Sequence, residues 1–171
     1  RGLGDVYKRQ VYDCRCLAGA LFDAQPEQVV FTMNAIHALN LAIKTLVKPG
    51  GRAVISGFEH NAVLRPLHHL GAEIIVAGRR LFDPADTISA FDRAITPGTS
   101  AVICTHVSNV FGYILPVEEI AALCRARGVP FVLDASQSAG LLPVRLAELG
   151  ADFIGMPGHK AVSYTHLRAH E

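Results

Sequence analysis

The chain has 171 residues, of which 50% are hydrophobic and 18% charged, and its formal net charge is +1. This length fits one domain with a sizeable core, and the composition excludes an intrinsically disordered chain. The small net charge and scattered basic residues predict no nucleic-acid partner and no anionic membrane surface. Since no apolar run approaches the roughly 20 residues of a membrane span, we expect a cytoplasmic protein.

The two ends of the chain differ in pattern from the middle. Residues 1–10 (RGLGDVYKRQ) and 162–171 (VSYTHLRAHE) show neither the period of a helix nor that of a strand. Both strings resemble translated sequencing-adapter sequence. We therefore interpret them as non-native termini, and we expect the domain to occupy residues 11–161.

Between the ends, short apolar runs alternate with segments of helical periodicity. We expect Asp86 to cap one helix and Pro116 to lie in the first turn of another. The alternation predicts an α/β fold of three layers, α/β/α, with a mostly parallel sheet. The predicted strands are 28–32, 52–56, 73–77, 99–105, 130–134 and 151–154, and the predicted helices are 35–47, 62–70, 86–95 and 116–127.

Polar residues follow two of these strands directly, at the sheet edge where α/β proteins bind their ligands. Asp134 ends one strand, and Gly-His-Lys at 158–160 follows the last one. Taken alone, the carboxylate could be a metal ligand or a helix cap, and the tripeptide could be a surface turn. Together, however, Asp134 and Lys160 supply the two groups that pyridoxal 5′-phosphate (PLP) requires. These are an amine that can lose its proton and an acid beside the pyridine nitrogen.

The two motifs, VLDASQ at 132–137 and GHK at 158–160, resemble the signature of the class V aminotransferases. This family of PLP enzymes of fold type I includes cysteine desulfurases and selenocysteine lyases. The resemblance implies that the chain is part of the large, PLP-binding domain. It also implies that Lys160 forms the Schiff base with PLP, that Asp134 pairs with the pyridine nitrogen, that Gln137 contacts the ring hydroxyl and that His159 helps to hold the phosphate.

Two further segments, FEHN at 58–61 and THVSNVFG at 105–112, are similar to segments of the same family. The resemblance implies that His60 stacks on the cofactor ring and takes part in catalysis. It also implies that Asn109 contacts the cofactor or the substrate. Together with a segment at 31–36, these four make five motifs that follow one another in the order found in the family.

The segment FTMNAI at 31–36 is similar to the turn that receives the cofactor phosphate in this family. The resemblance implies that Asn34, Ala35 and Ile36 bind PLP, because a helix N-terminus offers unpaired N–H groups to an anion. The family usually has threonine at the position of Ile36 and serine or threonine at that of Pro157. Backbone N–H groups are therefore expected to carry more of the phosphate binding here.

The resemblance implies a PLP-dependent enzyme that removes sulfur from L-cysteine, with a small amino-acid substrate and a homodimeric complete protein. In the family, a domain beyond the lysine holds an arginine for the substrate and a cysteine nucleophile. We therefore expect this chain to be an inactive fragment. The alternatives are an aminotransferase or another lyase of the same family, and a non-catalytic fragment. A dinucleotide-binding module is disfavoured because no G-x-G-x-x-G follows a predicted strand.

The four cysteines are expected to have no catalytic or metal-binding role. Cys14 and Cys16 form a close pair, but no second pair at zinc-ligand spacing follows them. Cys104 and Cys124 lie in apolar or helical patterns that favour burial. None of the four occupies the position of the family's sulfur-accepting cysteine.

Overall fold

The fold is given by a computed structural model that describes residues 3–158. The helices are α1 (Leu3–Phe22), α2 (Ala35–Leu46), α3 (Asn61–His69), α4 (Pro84–Ala94), α5 (Val117–Arg127) and α6 (Leu146–Leu149). The strands are β1 (Arg52–Ser56), β2 (Glu73–Ala77), β3 (Thr99–Thr105), β4 (Phe131–Asp134) and β5 (Phe153–Gly155). A short 3₁₀ turn, Pro26–Gln28, lies between α1 and α2.

The strands form one parallel sheet in the order β2-β1-β3-β4-β5. The chain therefore runs outward from β1 to β2 and then crosses back to β3 on the other side of β1. Such a reversal of strand order opens a crevice at the carboxyl ends of the strands. The predicted parallel α/β sheet is confirmed, and its switch point lies between β1 and β3.

Both faces of the sheet are covered by helices, because successive side chains of a strand point to opposite faces. One face packs against α2 and α3, and the other packs against α4 and α5. This confirms the predicted three-layer α/β/α fold. The first face contains Ala53, Ile55, Ala101, Ile103 and Val132, whereas the second contains Val54, Val102, Cys104, Phe131 and Leu133.

Two predicted helix starts are corrected by the structure. Asp83, and not Asp86, caps α4: its carboxylate accepts a hydrogen bond of 3.0 Å from the Asp86 backbone N–H. Because Pro84 occupies the first turn and can donate no hydrogen bond there, the cap precedes it. Pro116 lies at the N-cap of α5, one position before the predicted first turn.

The predicted strand at 28–32 was wrong. After the 3₁₀ turn the chain is irregular up to Asn34, and none of these residues pairs with a strand among residues 3–158. Val30 and Phe31 are exposed. An apolar, β-branched run favours an extended chain, but a strand also needs a partner, and this segment has none. The strand predicted at 151–154 starts later, at Phe153.

Helix α1 was not predicted from the sequence. It begins at Leu3, so that residues 3–10 are helical and continuous with residues 11–22. The non-native origin of residues 1–10 stays a prediction, and residues 162–171 lie outside the described part. Within residues 3–158, no helix combines the length and the apolarity needed to cross a membrane.

Replacing Phe91, a fully buried side chain of α4 in the core that α4 and α5 share with the sheet, by alanine should leave a cavity. We expect Phe91→Ala to lower the free energy of unfolding by about 3–5 kcal/mol, measured by urea denaturation. Phe31→Ala, at an exposed position, is the matched control and should cost less than about 1 kcal/mol. Equal losses in the two variants would contradict the assigned core.

Candidate functional site at the carboxyl edge of the sheet

A cavity of about 280 Å³ opens at the carboxyl edge of the sheet. It lies beyond the ends of β3 and β4, next to the N-termini of α2 and α3. Its position agrees with the general rule that open α/β sheets bind ligands beyond their strand ends. The cavity is lined by Asn34, Ala35, Ile36, Leu39, His60, Ala62, Thr105, Asn109, Asp134, Ser136, Gln137 and Pro157.

The N-terminus of α2 forms one wall of this cavity. Asn34 is the N-cap, and its side-chain oxygen accepts a hydrogen bond of 2.9 Å from the His37 backbone N–H. The preceding backbone N–H groups, those of Ala35 and Ile36, have no acceptor within the helix. They therefore add two donors to the positive end of the helix dipole, which suits an anion such as a phosphate.

Strand β4 delivers a carboxylate to the same cavity. Asp134 is 4% exposed, and its Oδ1 accepts a hydrogen bond of 2.9 Å from the Ser136 backbone N–H. This bond bends the chain sharply after the strand and brings Gln137 to the cavity wall. A buried carboxylate and an amide side chain are thus held together by one tight turn.

The N-terminus of α3 supplies an imidazole. His60 is the N-cap of this helix, and its Nδ1 accepts a hydrogen bond of 3.1 Å from the Ala62 backbone N–H. Because Nδ1 is the acceptor of this bond, Nε2 is the ring nitrogen that can donate a hydrogen bond. The capping bond fixes the ring at the cavity.

The loop after β3 places Asn109 at the cavity. Ser108 organises this loop: its backbone N–H donates 2.9 Å to the Tyr113 carbonyl, and its hydroxyl accepts from the N–H groups of Val110 and Phe111. The loop is therefore folded on itself by its own hydrogen bonds.

One ionisable group beside the cavity received no role in the sequence analysis. Glu59 Oε1 accepts hydrogen bonds from the Ser56 hydroxyl and the Thr105 backbone N–H, and Glu59 Oε2 is out of contact with solvent. Burial, with a smaller contribution from the nearby Asp134 charge, raises the pKa of Glu59 to about 8. The signal that could have found it is an acidic residue just after the buried strand β1, at the ligand-binding edge of the sheet.

Three other nucleophilic or basic side chains, those of His106, Cys104 and Cys124, do not line the cavity. His106 is buried behind β3 and does not line the cavity, and burial lowers its pKa. Cys104 and Cys124 are buried as well, and burial raises the pKa of the Cys124 thiol to about 12. Among residues 3–158, no three His, Cys, Asp or Glu side chains are grouped so that they could hold a metal ion.

The structure brings together seven of the nine site residues predicted from the sequence. The other two, His159 and Lys160, lie outside the described residues, which end one position before them. The chemical roles of all nine stay predictions. The seven that share the cavity are Asn34, Ala35, Ile36, His60, Asn109, Asp134 and Gln137.

Sequence comparison finds relatives along almost the whole chain. A profile of the family described as Aminotransferase class-V matches residues 2–165. A cysteine desulfurase IscS of Pectobacterium carotovorum is 36% identical over 147 residues, which cover 82% of this chain and 36% of that protein. A cysteine desulfurase IscS of Shewanella denitrificans is 34% identical over 163 residues, covering 91% of this chain and 38% of the relative. The chain thus spans well under half the length of these curated relatives.

A solved structure agrees with these relatives. The apo form of a cysteine desulfurase from Thermococcus onnurineus superposes with a TM-score of 0.81 at 30% identity, covering 94% of this chain and 42% of that one. The shared fold, the family profile and the sequence identity all point the same way. The chain belongs to the class V aminotransferase family.

Proposed function

We propose that this chain is the PLP-binding part of a cysteine desulfurase, an enzyme that removes sulfur from L-cysteine. The observation that carries the proposal is the buried carboxylate of Asp134, which shares one cavity with His60 and with the N-terminus of α2. The relatives at 34% and 36% identity are both cysteine desulfurases, and they favour this reaction over transamination or another lyase reaction of the family. The homodimer and the cytoplasmic location expected from the sequence remain predictions.

The residues around the cavity fit PLP by their chemistry. The phosphate would lie at the N-terminus of α2, where the N–H groups of Ala35 and Ile36 are unpaired within the helix. Asp134 would pair with the pyridine nitrogen and Gln137 with the ring hydroxyl. His60 offers a flat ring, held by its cap bond, against which an aromatic cofactor could stack. A bound PLP supplies an electron sink for charge that develops on the substrate.

The protein's own contribution is to orient these groups. The Ser136 N–H holds the Asp134 carboxyl group in place at the cavity. A negative charge on this carboxyl group would stabilise a proton on a pyridine nitrogen placed beside it. The cap bond to His60 Nδ1 holds the imidazole ring in a fixed orientation at the same cavity.

The experiment that tests the proposed function asks where PLP attaches. The purified chain is incubated with PLP and reduced with borohydride, and its peptides are mapped by mass spectrometry. We expect the label on Lys160, because the resemblance assigns the Schiff base to it, and we expect Lys160→Ala to lose it. Lys48→Ala, at an exposed position after α2, is the control that should keep the label. A label distributed over several lysines would contradict the proposal.

Asp134→Asn should weaken PLP binding, because the amide keeps the size of the side chain but removes its charge. The loss of a charged hydrogen-bond partner predicts an affinity about tenfold to a hundredfold lower, measured by titration of the cofactor absorbance. Asp152→Asn is the control: Asp152 lies just before β5, beside the opposite end of β4, and its Oδ2 accepts a hydrogen bond of 2.8 Å from the Phe131 backbone N–H. Its PLP affinity should stay that of the wild type. Equal effects of the two substitutions would argue against a special role of Asp134.

Ile36→Thr should strengthen PLP binding. The Ile36 side chain lines the cavity at the first turn of α2, and a hydroxyl there can donate one more hydrogen bond to a phosphate. We expect an affinity about threefold to tenfold higher, measured by the same titration. Ile36→Val has nearly the same shape as Ile36→Thr without the hydroxyl, and it should leave the affinity unchanged. The expectation fails if the two variants bind PLP equally well.

A further inference from the structure

We propose that Glu59 is a positioning residue of this site, whose side chain joins the β1–α3 turn to the end of β3 and so holds His60 and Asn109 at the cavity. The link to PLP rests on the proposed function, whereas the joining of the two segments does not. Glu59 itself does not line the cavity. It therefore acts through its neighbours.

One oxygen of Glu59 connects the ends of two strands. The Ser56 hydroxyl, at the end of β1, donates to Oε1 of Glu59. The backbone N–H of Thr105, at the end of β3, donates to the same oxygen over 2.7 Å. The carboxyl group is thus bonded to both strands that border the switch point of the sheet.

Strand β1 offers no backbone acceptor to the Thr105 N–H, which Glu59 binds. The pairing of β1 with β3 ends at Ile55 and Ile103. Beyond this point the chain turns towards β2, since the Gly57 N–H donates to the Gly78 carbonyl. The Thr105 N–H would then be a buried donor without a partner, which costs about 1–3 kcal/mol in general. The Glu59 side chain fills that gap.

The residues joined by this carboxyl group are close in the chain to His60 and Asn109. Glu59 directly precedes His60, and Thr105 begins the segment that leads to Asn109. An aromatic contact links the same two segments a second time. The ring of Phe58 lies edge-on to those of Phe111 and Tyr113, with centroid distances of 6.3 and 5.4 Å. Two adjacent residues of the turn, Phe58 and Glu59, therefore both fix it against the loop after β3.

The surroundings of Glu59 favour its protonated form. Glu59 Oε2 is buried and has no hydrogen-bond partner among the described residues, an arrangement that is costly for an ionised carboxylate. The groups that face it are Asp134 on β4, whose charge opposes ionisation, and the buried Cys104 thiol on β3, whose pKa burial raises well above its usual value. With its pKa raised to about 8, Glu59 is mostly protonated at neutral pH. It can then lie beside a charged Asp134 without repelling it.

The sign of the pH dependence follows from this pKa. In the unfolded chain Glu59 ionises near pH 4.5, its ordinary value, and in the folded protein near pH 8. Its contribution to stability is therefore fully present below pH 4.5 and is lost as the pH rises through about 8. Above that pH the ionised carboxylate is next to Asp134, and the contact between the two segments should loosen.

The decisive test compares the wild-type chain with Glu59→Gln, which keeps Oε1 as an acceptor but cannot ionise. In NMR spectra recorded from pH 5 to 9 without cofactor, we expect the Thr105 backbone amide and the Asn109 side-chain amide of the wild type to shift with an inflection near pH 8. Glu59→Gln should remove the inflection. Glu119→Gln, at an exposed position on α5, should retain it. Identical titration curves for the wild type and Glu59→Gln would overturn the proposal.

Urea midpoints over the same pH range provide an independent measurement. As the pH rises from 5 to 8, the urea midpoint of Glu59→Gln should increase relative to that of the wild type, and this difference in midpoint should level off above pH 8. The difference in midpoint between Glu119→Gln and the wild type should not grow with pH. A Glu59→Gln difference that is constant with pH would also overturn the proposal, because it would mean that Glu59 does not change its protonation state in this range.

Cofactor affinity separates positioning from a purely structural role. At pH 7 we expect Glu59→Gln to bind PLP within about twofold of the wild type and Glu59→Ala at least tenfold more weakly. Phe91→Ala, which is destabilised from the other side of the sheet, should bind PLP like the wild type. An equal loss of affinity in Glu59→Ala and Phe91→Ala would refute the positioning role. If the wild type binds no PLP, the proposed function fails, while the NMR and urea experiments still decide on Glu59.

Discussion

The site depends on the parallel arrangement of the strands, because it brings all their carboxyl ends to one edge of the sheet. The central strands β1, β3 and β4 are largely buried on both faces, and the residues that lead to their carboxyl ends are apolar. Polar side chains then stand at the ends themselves, where Ser56, Thr105 and Asp134 are the last residues of these three strands. The helices that follow begin at the same edge and direct their N-termini towards it. The edge thus collects acidic side chains and helix dipoles in one place.

The sequence predicted those parts of the structure that depend on local pattern. The bounds of β1 and β2 were predicted to the residue, and β3 lies in the range 99–105 that was predicted to contain a strand, because strands between turn signals have a clear pattern. The seven site residues in the cavity were found through motif resemblance and not through periodicity. The prediction of a strand at 28–32 failed because apolar residues indicate only an extended chain, whereas pairing with a neighbouring strand depends on tertiary structure. Helix α1 was missed for a different reason: residues 1–10 were interpreted as a non-native terminus, and this division at residue 10 obscured a single long helix.

Glu59 shows why the electrostatics of the site could not be read from the sequence. Glu59 and Asp134 are both acids at strand ends, and no pattern distinguishes them. In the structure, Asp134 accepts a hydrogen bond from the Ser136 N–H in a turn that faces the cavity, while one oxygen of Glu59 is buried with no hydrogen-bond partner among residues 3–158. Burial raises the pKa of Glu59 to about 8, so that this acid is suited to hold a proton at neutral pH. Such burial depends on three-dimensional neighbours, which local sequence does not specify.

The position of the α2 N-terminus depends on a close contact at the far side of the site. Gly155 ends β5, and a Cβ atom built on it would lie 2.8 Å from Leu39 Cδ2, closer than real Cβ atoms approach another atom. Leu39 is itself buried and lines the cavity. The absence of a side chain at Gly155 therefore lets α2 pack directly onto the sheet, one turn away from the N–H groups of Ala35 and Ile36. Because an anion binds to these groups only over hydrogen-bond distances, the close packing of α2 on β5 would help to determine where a phosphate bound there lies relative to Asp134.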